Sequence, residues 1–270
     1  MRGRRVAAFA MVAAVAALGG WRVATSPTAG TAAPALAPTT TVPEPTTTTT
    51  EPLVADPRGT RLRLGVAHPV QPPALVADAT GARVSLYSQP GDAEPGDVVD
   101  NPTSERLPVV FLVMQEQGDW VQVQVSRRPN EATAWVKAAD FTLRTTPYKI
   151  VVDSTAHRLT LTDGTSNLVD VPVATGTGGT PTPTGTFFID GIVRLANTTG
   201  PYGAYQLSLA AFSNVLTSFG GGIGQIALHG TNAPGLVGTS VSHGCVRMVN
   251  ADIVNLAKMV TVGTPVEILP

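Results

Sequence analysis

Cys245 is the only cysteine in the chain, and it sits within Ser242-His243-Gly244-Cys245-Val246-Arg247, with His229-Gly230-Thr231 a short distance upstream. A thiol attacks as thiolate, and at a pKa of roughly 8.5 an unassisted cysteine is only a few per cent ionised at neutral pH. An imidazole within reach is its usual activator, and two of the four histidines lie in these two clusters. A lone cysteine is more often a small buried hydrophobe than a nucleophile. Flanking glycine, two nearby histidines and polar neighbours favour the nucleophile here.

These residue types point to acyl transfer through a covalent thioester. Cys245 attacks a carbonyl, and a histidine takes the thiol proton and later returns it to the leaving amine. Main-chain N–H groups around Gly244 and Cys245 are expected to hold the oxyanion. Losing one such donor typically costs about 3–4 kcal/mol, which gives a glycine at 244 a catalytic reason. His229 is the expected base, its ring oriented by the Gly230 carbonyl, because a histidine ending a strand is held more firmly than one inside a loop. The acylation rate should then follow the joint titrations of thiol and imidazole between mildly acidic and mildly alkaline pH. His229, His243 and Cys245 are also metal-ligand types, but with neither a fourth ligand nor a second cysteine they make a poor zinc signature. No metal or other cofactor is expected.

Ordered elements must flank such a segment. Residues 149–153 and 158–162 alternate around a turn, and 167–174, 186–189, 205–209 and 226–229 read as further strands. One helix is well signalled: Asn250 as its cap, Asp252 in the first turn, and Ile253, Leu256, Ala257 and Val260 on one face. Gly263 is expected to end it before a strand at 266–269. Upstream, 82–87, 109–114, 121–125 and 134–136 are short apolar or alternating runs separated by Gln89-Pro90-Gly91 and Gly118-Asp119. Trp120 and Trp135 read as core residues. The predicted fold is mainly β, a small β-barrel-like N-terminal domain over 58–146 followed by a β-rich domain over 147–270 with that single helix. Residues 197–224, with Tyr202, Tyr205 and Gly220-Gly221-Gly222, read equally well as a lid over the site and as an ordinary glycine-rich surface loop.

The N-terminus speaks to location. Arg2, Arg4 and Arg5 precede an apolar run over 6–20, so residues 1–24 read as an export signal or an uncleaved anchor. The expected location is outside the plasma membrane, in the periplasm or cell wall, with membrane contact only through that anchor. No cysteine follows the run, which excludes a lipoprotein, and a single cysteine excludes an internal disulfide. Residues 25–57 are rich in Pro and Thr and poor in large apolar groups, a disordered spacer that spans on the order of 90 Å at about 3.1 Å per residue. Removing 1–24 takes away Arg2, Arg4, Arg5 and Arg22 and no acid, leaving an acidic chain. Nucleic acid is not an expected partner.

His229-Gly230-Thr231, then Ser242-His243-Gly244-Cys245-Val246-Arg247-Met248, then Asn250, Asp252 and Leu256, and finally Gly263-Thr264-Pro265-Val266 resemble the L,D-transpeptidase catalytic domain, also called the YkuD domain. The likeness runs from about Tyr148 to the C-terminus and includes Thr182-Pro183-Thr184-Gly185-Thr186-Phe187. Upstream, Gly118-Asp119-Trp120-Val121-Gln122-Val123 and Ala134-Trp135-Val136 resemble bacterial Src-homology-3-like barrels. The first resemblance implies an enzyme acting on peptidoglycan stem peptides. Its thiol attacks the L,D-peptide bond of a tetrapeptide stem, expels D-alanine, and passes the acyl group to a diaminopimelate amine of a neighbouring stem. It implies Cys245 as nucleophile, His229 as proton acceptor and donor, His243 as a neighbour shaping the site, no cofactor, and acylation of the thiol by carbapenems. The family often has asparagine two residues after the cysteine; Arg247 stands there instead, suited to a substrate carboxylate or a local carbonyl. Ser242, Tyr202 and Tyr205 complete the candidate substrate-binding set.

Two other readings stand beside this one. Water in place of the amine would make the same thioester an L,D-carboxypeptidase or hydrolase of wall peptides, although papain-like wall hydrolases place cysteine before histidine, opposite to the order here. A non-catalytic wall-binding module would need neither.

Overall fold

The computed structural model describes residues 71–270. The expected export signal, the spacer and the first residues of the expected β domain lie outside them. The first half of the described chain gives β1 (Ala74–Ala79), β2 (Arg83–Leu86), β3 (Asp97–Asp100), β4 (Val110–Gln117), β5 (Trp120–Gln124), β6 (Thr133–Lys137) and β7 (Phe141–Thr146). Five of these form an antiparallel sheet in the order β6-β5-β4-β1-β7, and β2 and β3 pair separately. The four expected strands are present. The strands the sequence hid are β1, β3 and β7; in β1, Ala74, Ala77 and Ala79 have little intrinsic strand preference. Pairing on both sides, with Val76 and Ala77 fully buried, holds it extended regardless.

The second half gives β8 (Lys149–Asp153), β9 (Arg158–Thr162), β10 (Asn167–Pro172), β11 (Thr175–Gly176), β12 (Gly185–Arg194), β13 (Tyr205–Phe212), β14 (Gln225–His229), β15 (Ser240–Ser242), β16 (Val246–Arg247), α1 (Asn250–Met259) and β17 (Pro265–Leu269). Eight strands form one sheet, β10-β9-β8-β17-β12-β13-β14-β16, and β11 pairs with β15. The period-2 burial of β8 and β9 puts Ile150, Val152, Leu159 and Leu161 into the core, joined by Ile253 and Leu256 from α1. The chain is mainly β, and among the described residues no helix is long and apolar enough to cross a membrane.

Three expectations need correction. Residues 197–224 are not one loop, because the mostly buried strand β13 runs through them. Asn250 does not cap α1: Val249 occupies the cap position without a side-chain bond, and Asn250 is the first helical residue. Nor does Gly263 end the helix, which stops at Val260 in extended conformation. Gly263 instead turns at φ +89°, where a Cβ would lie 2.4 Å from Val76 Cγ1 of β1.

That contact joins the two sheets. Phe188 and Ala210 of the larger sheet belong to the apolar cluster of the smaller one. Gln124 Nε2 donates to Thr186 O at 2.7 Å, and Arg144 pairs with Asp78 at 2.6 Å while donating to Val262 O at 2.7 Å. Residues 71–270 belong to one compact unit.

Candidate active site

Strand register builds the site. β14 and β16 run parallel with Leu228 opposite Val246 and His229 opposite Arg247. Leu228 and Val246 go into the core, and their successors His229 and Arg247 line a cavity of about 250 Å³ together with Cys245, His243 and Tyr202. Arg247 is pinned on its other side by a reciprocal pair with Ala174, N–H to O at 2.8 and 2.7 Å. A two-residue strand is thus held at both edges.

His229 is 2% exposed, and its Nδ1 lies 2.6 Å from Gly230 O. A carbonyl only accepts, so Nδ1 carries the proton and Nε2 is left with a free lone pair. Burial pushes the imidazole pKa down to about 4, opposed by the Gly230 carbonyl and reinforced by the Arg247 charge. The Tyr202 ring covers it at 4.7 Å between centroids. The loop after His229 is fixed by Asn250: its Oδ1 accepts from Thr231 N at 3.1 Å, and its Nδ2 donates to Thr198 O at 3.2 Å. Gly230 and Gly203 both press on this side chain, where a Cβ would come within about 2 Å of Oδ1.

Cys245 is half-buried and is the one free cysteine. Burial raises its pKa, with the Ala227 N–H and the Arg247 charge acting in the opposite direction. Among the described residues no hydrogen bond joins Sγ to either imidazole; Cys245 and His229 line the same cavity, and burial favours the uncharged form of each. Gly244 adopts φ +118°, a conformation that favours glycine, and packs against Ile226. Its N–H, however, is already donated to Ser242 Oγ at 3.0 Å, while Ser242 Oγ donates to Cys245 O at 2.5 Å. Ser242 is fully buried and outside the cavity lining, so its hydroxyl shapes the loop that carries Cys245. The Gly244 amide is likewise spent on that loop, and the amide without an acceptor among the described residues is that of Cys245. From below, Thr177 N and Thr180 Oγ1 both donate to Ser242 O.

His243 is exposed and stacks on Phe219 at 4.8 Å with a 29° interplanar angle. Arg247 Nε is buried and without a partner among the described residues, a donor waiting for an acceptor. Tyr205 does not line the cavity: its side chain packs on the core, and its carbonyl receives the Gly230 N–H at 3.4 Å. The opposite wall comes from Ser213, Leu216, Phe219 and Gly224, which composition did not single out apart from its glycines. Among the described residues no three His, Cys, Asp or Glu side chains converge as a metal-ligand set.

Residues 147–268 match the model of the YkuD L,D-transpeptidase catalytic domain. A protein of Bacillus subtilis bearing the name L,D-transpeptidase YkuD is 41% identical over 124 residues, 46% of this chain and 67% of its own length. One of Bacillus licheniformis with the same name is 38% identical over 126 residues, 47% of this chain and 68% of its own. Similar solved structures include an L,D-transpeptidase from Mycobacterium smegmatis, 19% identical with a TM-score of 0.37 over 60% of this chain and 90% of that one. Another is from Mycobacterium tuberculosis H37Rv, 16% identical with a TM-score of 0.39 over 76% and 92%. On the strength of its Bacillus relatives, this chain belongs to the YkuD family of L,D-transpeptidase catalytic domains.

Proposed function

We propose that the protein is an extracytoplasmic peptidoglycan L,D-transpeptidase that works through a thioester on Cys245. The observation that carries this reading is that Cys245, His229 with its Nδ1 held by Gly230 O, and Arg247, whose buried Nε has no partner among the described residues, line one cavity. Sγ attacks the carbonyl carbon of the L,D-peptide bond in a tetrapeptide stem as Nε2 takes the thiol proton. The Cys245 amide donates to the oxyanion. The tetrahedral adduct collapses, breaking the C–N bond, and Nε2 returns the proton to the departing D-alanine amine. A stem amine on a second strand then attacks the thioester, gives its proton to Nε2, and expels the sulfur, which is reprotonated.

Each part has a physical reason. The tautomer fixed by Gly230 O leaves Nε2 as the accepting nitrogen of a residue that lines the cavity. Arg247 offers a fork of donors to a stem carboxylate and, as a fixed positive charge, favours the thiolate over the imidazolium. Tyr202 lies over the imidazole and excludes water from it.

Intact mass spectrometry of the purified protein after exposure to a tetrapeptide stem, and separately to a carbapenem, tests the assignment. The expected result is an adduct on Cys245, absent in Cys245→Ala, together with a cross-linked dimer when acceptor stem is added. An adduct resolved only to free tripeptide would convert the reading to hydrolase. Full cross-linking by Cys245→Ala would end it.

A further inference from the structure

The cavity wall made by residues 213–224 has little to hold it by itself. Gly220, Gly221 and Gly224 all adopt positive φ, and Val215, Phe219 and Ile223 are exposed. Its own bonds are a tight turn between Phe219 and Gly222, one N–H from Ser213 to Gly224 O, and the Ser213 hydroxyl accepting from Val215 and Leu216. Yet this segment sets Leu216 and Phe219 against the cavity and stacks Phe219 on His243.

The missing support comes from the other sheet. Arg128, on the turn between β5 and β6, donates from Nη1 to Ile223 O at 2.8 Å and from Nη2 to Ser213 O and Leu216 O, each at 3.1 Å. Its Cζ lies 4.9 Å from the centre of the Phe212 ring. One planar cation therefore ties both legs of the segment together. Asn130, two residues on, exchanges two 2.8 Å bonds with the Phe212 backbone, and Ser126 and Gln225 share Asp190 Oδ2 at 2.5 and 2.7 Å. Both ends of the wall, at 212 and 225, are thus anchored to the same turn. Arg128 itself does not line the cavity.

We infer that Arg128 is a positioning residue: through three loop carbonyls it sets the wall at 213–224 against which a donor stem is bound. The smaller sheet is then part of the binding apparatus as well as a neighbour of the catalytic one. This rests on reading the cavity as the donor-stem site.

Three proteins are compared: wild type, Arg128→Ala, and Arg128→Lys, which keeps a cation but lacks the planar fork whose two nitrogens span the three carbonyls. Amide hydrogen exchange over 213–224 is read alongside KM and kcat for the tetrapeptide donor and the rate of Cys245 alkylation by iodoacetamide. The expected result for Arg128→Ala is exchange at Phe219 and Gly222 faster by at least about tenfold, with β8, β9 and β12 unchanged. The donor KM should rise about tenfold, with kcat and iodoacetamide alkylation changed by less than about twofold. Arg128→Lys should fall between. Unchanged exchange overturns the clamp whatever the kinetics, and faster exchange with an unchanged KM overturns the positioning role. If wild-type enzyme turns over no stem, the functional reading falls, while the exchange data still decide the clamp.

Discussion

Burial acts on both members of the Cys245–His229 pair in the same direction, toward the uncharged form. The site at rest therefore holds a thiol and a neutral imidazole, so in the proposed mechanism proton transfer accompanies attack. With the imidazole at about 4, the base is competent from about pH 5 upward. The acid limb of the acylation rate should centre near pH 4, where a solvated histidine would place it near 6.5. Because the thiol titrates above its ordinary value, the rate should go on rising into the alkaline range. The change expected from sequence between mildly acidic and mildly alkaline pH is thus spread outward at both ends. Second-order acylation rates measured across that range check it, and a limb centred at 6.5 would show the ring to be wet. His229→Gln should lower acylation by about 10²–10⁴-fold. Arg247→Ala should act mainly on donor KM, since its buried Nε has no partner among the described residues to lose. At this scale the gathering of Cys245, His229 and His243 around one cavity was legible because their types are scarce. Ser242 was misjudged since a hydroxyl beside a nucleophile reads the same whether it faces substrate or the loop's own carbonyl.

Strands with clean alternation, such as β8 and β9, could be read to the residue. Elements held by their neighbours could not: β1 is alanine-rich, and β11, β15 and β16 are two or three residues long, too short to carry a period. Asn250 shows a subtler limit. Its type and place before an apolar face fit a cap, but a side chain at the first helical position reaches equally well to a neighbouring loop, and that is where it goes. Removing it should loosen the His229 loop rather than unravel α1. Asn250→Ala deletes two hydrogen bonds of about 0.5–1.5 kcal/mol each. The expected outcome is a lower melting temperature together with an acylation rate reduced several-fold, while Asn250→Asp, which keeps the acceptor for Thr231, retains most of the rate. Equal losses in both variants would mean the Thr198 bond matters more.

Across the whole molecule, two buried titratable groups pull stability in opposite directions. The folded pKa of His229 is depressed, so its contribution is complete above about 6.5 and is lost as pH falls toward 4. Asp190 is raised by burial against the hydrogen bonds from Ser126 and Gln225, and its Oδ1 has no partner among the described residues. Its contribution is complete below the ordinary carboxylate value and is lost as pH rises through the elevated one. Asp190→Asn should therefore raise the melting temperature relative to wild type more at pH 8 than at pH 5, at about 2–4 °C per kcal/mol recovered. A gain larger at pH 5 would place the buried charge elsewhere. The seam where Asp190 sits, with Gly263 against Val76 and Arg144 on Val262 O, was invisible in sequence because its partners lie far apart along the chain.

The pairing of His229 with Arg247 across two parallel strands has an evolutionary corollary. A shift of one step would turn Val246 toward solvent and bury the guanidinium, so the ladder admits no drift. The exposed stretch around Pro234–Leu236 between those strands has no such duty. Insertions and deletions should accumulate there while His229 and Arg247 keep their places opposite one another.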